Sequence, residues 1–201
     1  MNLRGYRLTK EHSLFPTCVM EFDLSDSADQ IKTLIDEIDN SECGNHELIG
    51  KGISSFYTGK RILDHESIKP LRDTIELCLK DYVLKTGLED LFIANSWWNE
   101  LSVGDYVDPH RHYASVVSGA FYPKVVNGSS SIYFNSPIAI YKMGELYKNP
   151  ITEYSVEKIA LPAKQNHMYL FPSWLEHGVQ HNQTESRLVV SFNTDRCRQN
   201  Q

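Results

Sequence analysis

The chain has only four cysteines, Cys18, Cys43, Cys78 and Cys197, scattered with no C-x-x-C pair. In 201 residues that usage excludes a disulfide frame or a zinc knuckle and fits reduced cytosolic thiols. No apolar run approaches the length of a membrane span, and the N-terminus lacks the unbroken apolar core of a secretory signal. The two N-x-[ST] sequons, at Asn127 and Asn182, therefore carry no meaning as glycosylation sites. No Lys/Arg cluster occurs, and the net charge is −6, so little would be gained from counterion release on nucleic acid. Repeats, low-complexity tracts and Pro/Ser-rich linkers are also missing, which leaves a single ordinary globular domain.

What is present divides the chain in two. The first part, to about residue 90, carries two helix signals. Ser27 and Gln30 have the spacing of a capping box, followed by an apolar stripe of Ile31, Leu34, Ile35 and Ile38. A second helix is expected from about Ser67, with Pro70 in its first turn and Gly87 as its stop. Ile68, Leu71, Ile75, Cys78 and Tyr82 share one face of it. From Leu91 onward the helical period vanishes. Short alternating or apolar runs near 91–103, 108–112, 115–122, 130–135, 153–160, 167–171 and 186–193 read as strands, separated by Asn127-Gly128, Asn135-Ser136-Pro137 and Asn149-Pro150. Two helices and then seven or eight short strands predict an α+β fold, a jelly-roll or sandwich with the helices (1–90) packed on one sheet of a barrel (91–197).

Five of the eight histidines lie in the β-rich part. His110 and His112, in Asp108-Pro109-His110-Arg111-His112, are two apart on an expected strand and would project side by side. Taken alone the pair is equally two polar residues on a solvated strand. His177 follows an apolar strand end and the corner Pro172-Ser173, placed to point into a barrel mouth. Ten residues later, Arg187 shares one face of its strand with Val189, Ser191 and Asn193, while Leu188, Val190 and Phe192 form the other. Arg187 is then either on a wetted edge strand or a buried clamp for a carboxylate, which guanidinium grips with two parallel hydrogen bonds.

In order and spacing, His110-x-His112, Ser118-Gly119-x-x-Tyr122, Phe171-Pro172-Ser173-Trp174-x-x-His177-x-Val179 and Arg187-x-x-x-Ser191-Phe192-Asn193 resemble the iron(II)/2-oxoglutarate-dependent dioxygenase superfamily. The closer resemblance is to a branch frequent in phage and marine bacteria. It implies a double-stranded β-helix barrel, Fe(II) as cofactor and 2-oxoglutarate as cosubstrate. The implied reaction is a hydroxylase-type oxidation of an unidentified small-molecule or peptide substrate, coupled to decarboxylation of 2-oxoglutarate to succinate. Most of the superfamily has an acid where this chain has His112. Two metal sets follow: His110, His112 and His177, which is preferred, or a set in which Asp108 supplies a carboxylate. The resemblance also assigns Arg187, Tyr122, Ser191 and Asn193 to the cosubstrate.

Two other readings remain open. Gly104-x5-His110-x-His112 and Pro172-x4-His177 copy parts of the cupin pattern, although Val116 and Val117 occupy the place of its glutamate. A non-enzymatic binding module on the same barrel is the other. His181 is a minor candidate for a further ligand and Asn99 for a pocket residue. His12, His46 and His65 read as surface, His167 as the end of a turn, and Trp97, Trp98 and Trp174 as core and rim. The loop 136–152, with Tyr141, Met143 and Tyr147, reads as a lid or a plain connection. A cytoplasmic location (that of the host cell if the protein is phage-encoded), no membrane partner, nucleic acid unlikely and a possible homodimer complete the expectations.

Overall fold

The computed structural model describes residues 9–50, 52–142, 144–146 and 151–197. Met143, Tyr147 and the Asn149-Pro150 turn lie outside these. Two antiparallel sheets face each other. The larger contains β1 (Met20–Asp23), β2 (Gly44–Asn45), β3 (Ile53–Ser54), β4 (Leu91–Leu101), β6 (Val117–Val125), β9 (His167–Pro172) and β11 (Arg187–Arg196), in the order β1-β9-β6-β11-β4-β3-β2. The smaller contains β5 (Val107–His110), β7 (Ile132–Asn135), β8 (Lys158–Leu161) and β10 (His177–Val179), in the order β5-β10-β7-β8.

Period-2 alternation gives the larger sheet two different faces. On β11, Leu188, Val190 and Phe192 turn to one side and join Phe121, Met168 and Leu170 under the helices. The helices are α1 (Ala28–Asp39) and α2 (Lys69–Thr86), which contribute Ile31, Leu34, Ile38, Leu71, Ile75 and Tyr82 to that layer. On the other side Ala120, Tyr122, Tyr169, Phe171 and Val189 meet Ile132 and Phe134 of the smaller sheet. This is the expected α+β jelly roll, with helices on one sheet and the barrel interior left for the polar face of β11.

Details differ from the sequence reading. Ser27 stands at the N-cap of α1, but its side chain makes no capping hydrogen bond, so the capping box does not form. Gly87 does close α2, in the left-handed region at φ 71°, donating its N–H to the Val83 carbonyl. The part before residue 90 is more than helical, since β1, β2 and β3 extend the larger sheet at both edges. β10 was not expected; it has three residues, one of them Gly178, too few for an alternating pattern to register. The run 153–160 becomes strand only at Lys158, because Ser155 bends the chain before it. The Thr152 N–H donates to Ser155 Oγ, and the Ser155 N–H to the Thr152 carbonyl. Gly119 sits where the Phe192 ring crosses the neighbouring strand; a Cβ there would lie 2.1 Å from the ring. All four cysteines are free, and no described helix is long and apolar enough to cross a membrane.

Candidate active site

Strand register brings the first two histidines together. His110 and His177 are direct partners across the β5–β10 pairing, with ring centroids 4.4 Å apart. His112 arrives by a different route from the one its spacing suggests. β5 ends at His110, and the chain turns so that the His112 N–H donates to the Ser173 carbonyl at 2.9 Å. Its ring lies 5.0 Å from that of His110 and 5.2 Å from that of His177. Potential ligand atoms of the three all fall within 4.8 Å of one another.

The arrangement fits a divalent metal. His110 Nδ1 sits 2.8 Å from the Asp108 carbonyl, and His177 Nδ1 2.8 Å from the Leu175 carbonyl. A carbonyl only accepts, so each Nδ1 must carry the proton and each Nε2 keeps a free lone pair. Burial, and then the neighbouring imidazole His110, hold His112 down to about 4 and His177 down to about 3. Burial also lowers His110, against the pull of the Asp108 carbonyl and nearby carboxylates. All three are therefore neutral at pH 7, the form that binds metal, and imidazole suits iron, nickel, copper and zinc.

Asp108 is not part of this group. It is exposed, and its backbone rather than its carboxylate meets His110. His181 is also elsewhere, with Nδ1 donating to the Gly104 carbonyl and its ring against Tyr106. His167 opens β9 and pairs with Glu21.

Arg187 lies inside the barrel. It is 1% exposed, donates from Nε to the Ser130 carbonyl at 2.8 Å and from Nη2 to the Tyr122 hydroxyl at 3.2 Å. Among the described residues no acidic side chain pairs with it, and burial pulls its guanidinium below the ordinary range. A buried cation with only neutral partners is costly, and an anion brought beside it would offset that cost. Tyr122 is fully buried beside it, its phenol pushed up by burial and so kept protonated.

Both groups open on one cavity of about 200 Å³. Its walls include Arg187, Tyr122, Ser191, Asn193, Asn99 and the three histidines. Asn193 also touches His112, which the sequence did not suggest. Trp97 lines the cavity, Trp98 lies under the helices with Nε1 donating to Ser41 Oγ, and Trp174 is exposed. The mouth was missed altogether. His46, Glu47, Phe56 and Tyr57 line it, from the segment around β2 and β3. Their rings form a row: His46 stacks on Tyr57 at 5.2 Å, Phe56 meets His46 at 4.8 Å and Trp97 at 5.0 Å, and Trp97 reaches the His112 ring at 6.0 Å. The only sequence signal would have been the exposed pair Phe56-Tyr57 after Gly52, which has no period of its own.

Residues 95–193 match the 2OG-Fe(II) oxygenase family model. No curated protein matches the chain's sequence. Solved structures share the fold at low identity. A prolyl-4-hydroxylase from Pseudomonas putida is 14% identical, with a TM-score of 0.61 over 90% of this chain and 94% of its own. HygX from Streptomyces hygroscopicus, solved with nickel, 2-oxoglutarate and hygromycin B, is 9% identical, with a TM-score of 0.59 over 90% and 83%. SnoN, an α-ketoglutarate-dependent epimerase of nogalamycin biosynthesis, is 11% identical, with a TM-score of 0.63 over 90% and 77%. The matched stretch holds the three histidines, Arg187 and Tyr122, so the similarity to the 2OG-Fe(II) oxygenase family falls on the residues that line the cavity.

Proposed function

We propose that the protein is a 2-oxoglutarate-dependent hydroxylase in which His110, His112 and His177 hold Fe(II) and Arg187 holds the far carboxylate of 2-oxoglutarate. The observation that carries this reading is the pairing, on one cavity, of a neutral three-histidine cluster with a buried arginine that has no anion of its own. Bound iron would couple reduction of oxygen to decarboxylation of 2-oxoglutarate, giving succinate and carbon dioxide, with the second oxygen atom entering a substrate C–H bond. The chain's own part is orientation and exclusion of water. Arg187 binds, Tyr122 steadies the guanidinium by accepting from Nη2, and the Phe134, Phe171 and Val189 side chains keep the interior apolar. A cupin has no use for a buried arginine at this place.

The substrate is proposed to be a small molecule or a peptide, in keeping with the proteins that share the fold: a prolyl-4-hydroxylase, an enzyme with hygromycin B bound and a prolyl hydroxylase with a peptide fragment. The cavity is small, so only a limited group of that substrate would enter, the remainder resting on the rings at the mouth. The whole chain is read as one catalytic unit, since the segment before residue 90 supplies that mouth.

The test is a titration of 2-oxoglutarate into the Fe(II) protein without oxygen, followed by absorbance and heat, and then by succinate release once oxygen is admitted. Saturable binding with a visible charge-transfer band is the expected result. No binding at millimolar 2-oxoglutarate would remove the reading.

A further inference from the structure

Three motif pieces far apart in sequence meet behind His112. Asn193 and Ser118 are direct partners in the β11–β6 pairing, and Ser173 follows β9. Ser118 Oγ donates to Asn193 Oδ1 at 2.7 Å, and the hydroxyls of Ser118 and Ser173 share a hydrogen bond at 2.8 Å. Asn193 Nδ2 lies 3.3 Å from His112 Nδ1. All three residues of the relay are at most 5% exposed. Among the described residues nothing else ties the imidazole of His112 to a hydrogen-bond partner, unlike His110 and His177, whose Nδ1 atoms sit on carbonyls.

The direction of this contact matters. With Nδ2 toward the ring, Asn193 donates, His112 Nδ1 accepts, and the ring proton must reside on Nε2. That tautomer has no lone pair for a metal on the side away from Asn193. With the amide reversed, His112 Nδ1–H donates to Asn193 Oδ1, Asn193 Nδ2 donates to Ser118 Oγ, and Ser118 donates to Ser173. Hydroxyl protons rotate freely, so the two serines satisfy either direction.

We propose that Asn193, backed by Ser118 and Ser173, is a positioning residue that selects the nitrogen His112 offers to the metal, and that its amide reverses when metal binds. The proposal rests on the reading of His112 as a ligand. It explains how a neutral histidine serves where the resemblance led one to expect an acid. A carboxylate ligand has no tautomer to choose, whereas an imidazole in that place needs an orienting partner.

The experiment is Co(II) binding to the metal-free full-length protein, read as dissociation constant and visible spectrum, with thermal unfolding of the metal-free state alongside. Asn193→Ala should weaken Co(II) by about 10–100-fold. Asn193→Asp, whose carboxylate only accepts and so fixes the proton on Nδ1, should bind at least as tightly as wild type. Ser118→Ala, a gentler change, should lose less, in the same direction. Unchanged affinity in Asn193→Ala and Ser118→Ala, or an Asn193→Asp loss as large as that of Asn193→Ala, would overturn the proposal. His112→Ala is the control that separates the two readings. If it binds Co(II) like wild type, the ligand reading has failed and this one with it. If it loses Co(II) while Asn193→Ala does not, only the positioning role falls.

Discussion

His110 and His177 face each other across a single antiparallel register position, so two of the three clustered histidines are placed by strand pairing and His112 by the turn after β5. Replacing either by alanine removes a ligand without breaking a ladder hydrogen bond. Metal affinity should fall by at least 100-fold while the fold persists, as read by Fe(II) or Co(II) titration and circular dichroism. His112→Asp should keep or strengthen binding, and His112→Ala should weaken it. Unaltered metal content in both His110→Ala and His177→Ala would place the metal elsewhere.

Arg187→Ala should weaken 2-oxoglutarate by about 30-fold or more, because a buried charge pair is worth about 2–5 kcal/mol and about 1.4 kcal/mol is tenfold. Metal affinity should stay the same. Arg187→Lys should lose less, since charge survives without the fork. The check is calorimetry on the Fe(II) protein without oxygen. Equal binding by wild type and Arg187→Ala would remove the arginine from the cosubstrate site.

The metal-free protein should lose stability on acidification in a window set by its histidines. His112 and His177 have folded values of about 4 and about 3, below the ordinary value of 6.5, so the unfolded chain takes up protons first. Above 6.5 both states are neutral and the contribution is constant. As pH falls from 6.5, stability falls, the His112 part levelling off below about 4 and the His177 part below about 3. Urea unfolding with chelator present, at several pH values, should show a flatter slope over this window in His112→Gln than in wild type. Parallel slopes would mean that burial does not hold this ring neutral.

Gly119→Ala should destabilise by about 1–3 kcal/mol, the usual cost of forcing atoms into a filled core. The added methyl meets the Phe192 ring. Phe192→Leu in the same chain should recover part of the loss in thermal unfolding. Full stability of Gly119→Ala alone would show that the ring moves aside without cost.

Phe56→Ala and Tyr57→Ala should leave metal and 2-oxoglutarate binding intact, since both side chains are exposed at the mouth. Their effect should fall on substrate-dependent succinate release, read once a substrate has been found by screening. A loss of 2-oxoglutarate binding instead would move these rings into the cosubstrate site.

The fold was legible where periodicity was strong. The stripe on α2 and the two faces of β11 appear in the structure as read, because each is long enough for one face to be buried. His177 and Arg187 were legible from their place at strand ends and on a polar strand face. His46, Phe56 and Tyr57 were not, since their position depends on a two-residue strand pairing with β4, Ile53 opposite Glu100 and Ser54 opposite Asn99. Such a long-range contact leaves no local pattern. Asn193 was assigned to the cosubstrate by the family resemblance. Its bond to His112 required knowing that the chain turns after His110.

The β2–β3 hairpin is joined to the edge of the larger sheet by those two residues of β3 and by Ser55 on Trp98, and to β5 of the smaller sheet by Ile49 opposite Val107 and by the Asp108 N–H donating to the Leu48 carbonyl. It lies wholly outside the stretch that carries the histidines and Arg187. The entrance is thus a bridge between the two sheets: Ile49, Gly52 and Ser54 are buried and fix where it sits, while Phe56 and Tyr57 stay exposed. Exchanging those two exposed rings would alter what rests at the entrance and leave the three histidines and Arg187 where they are.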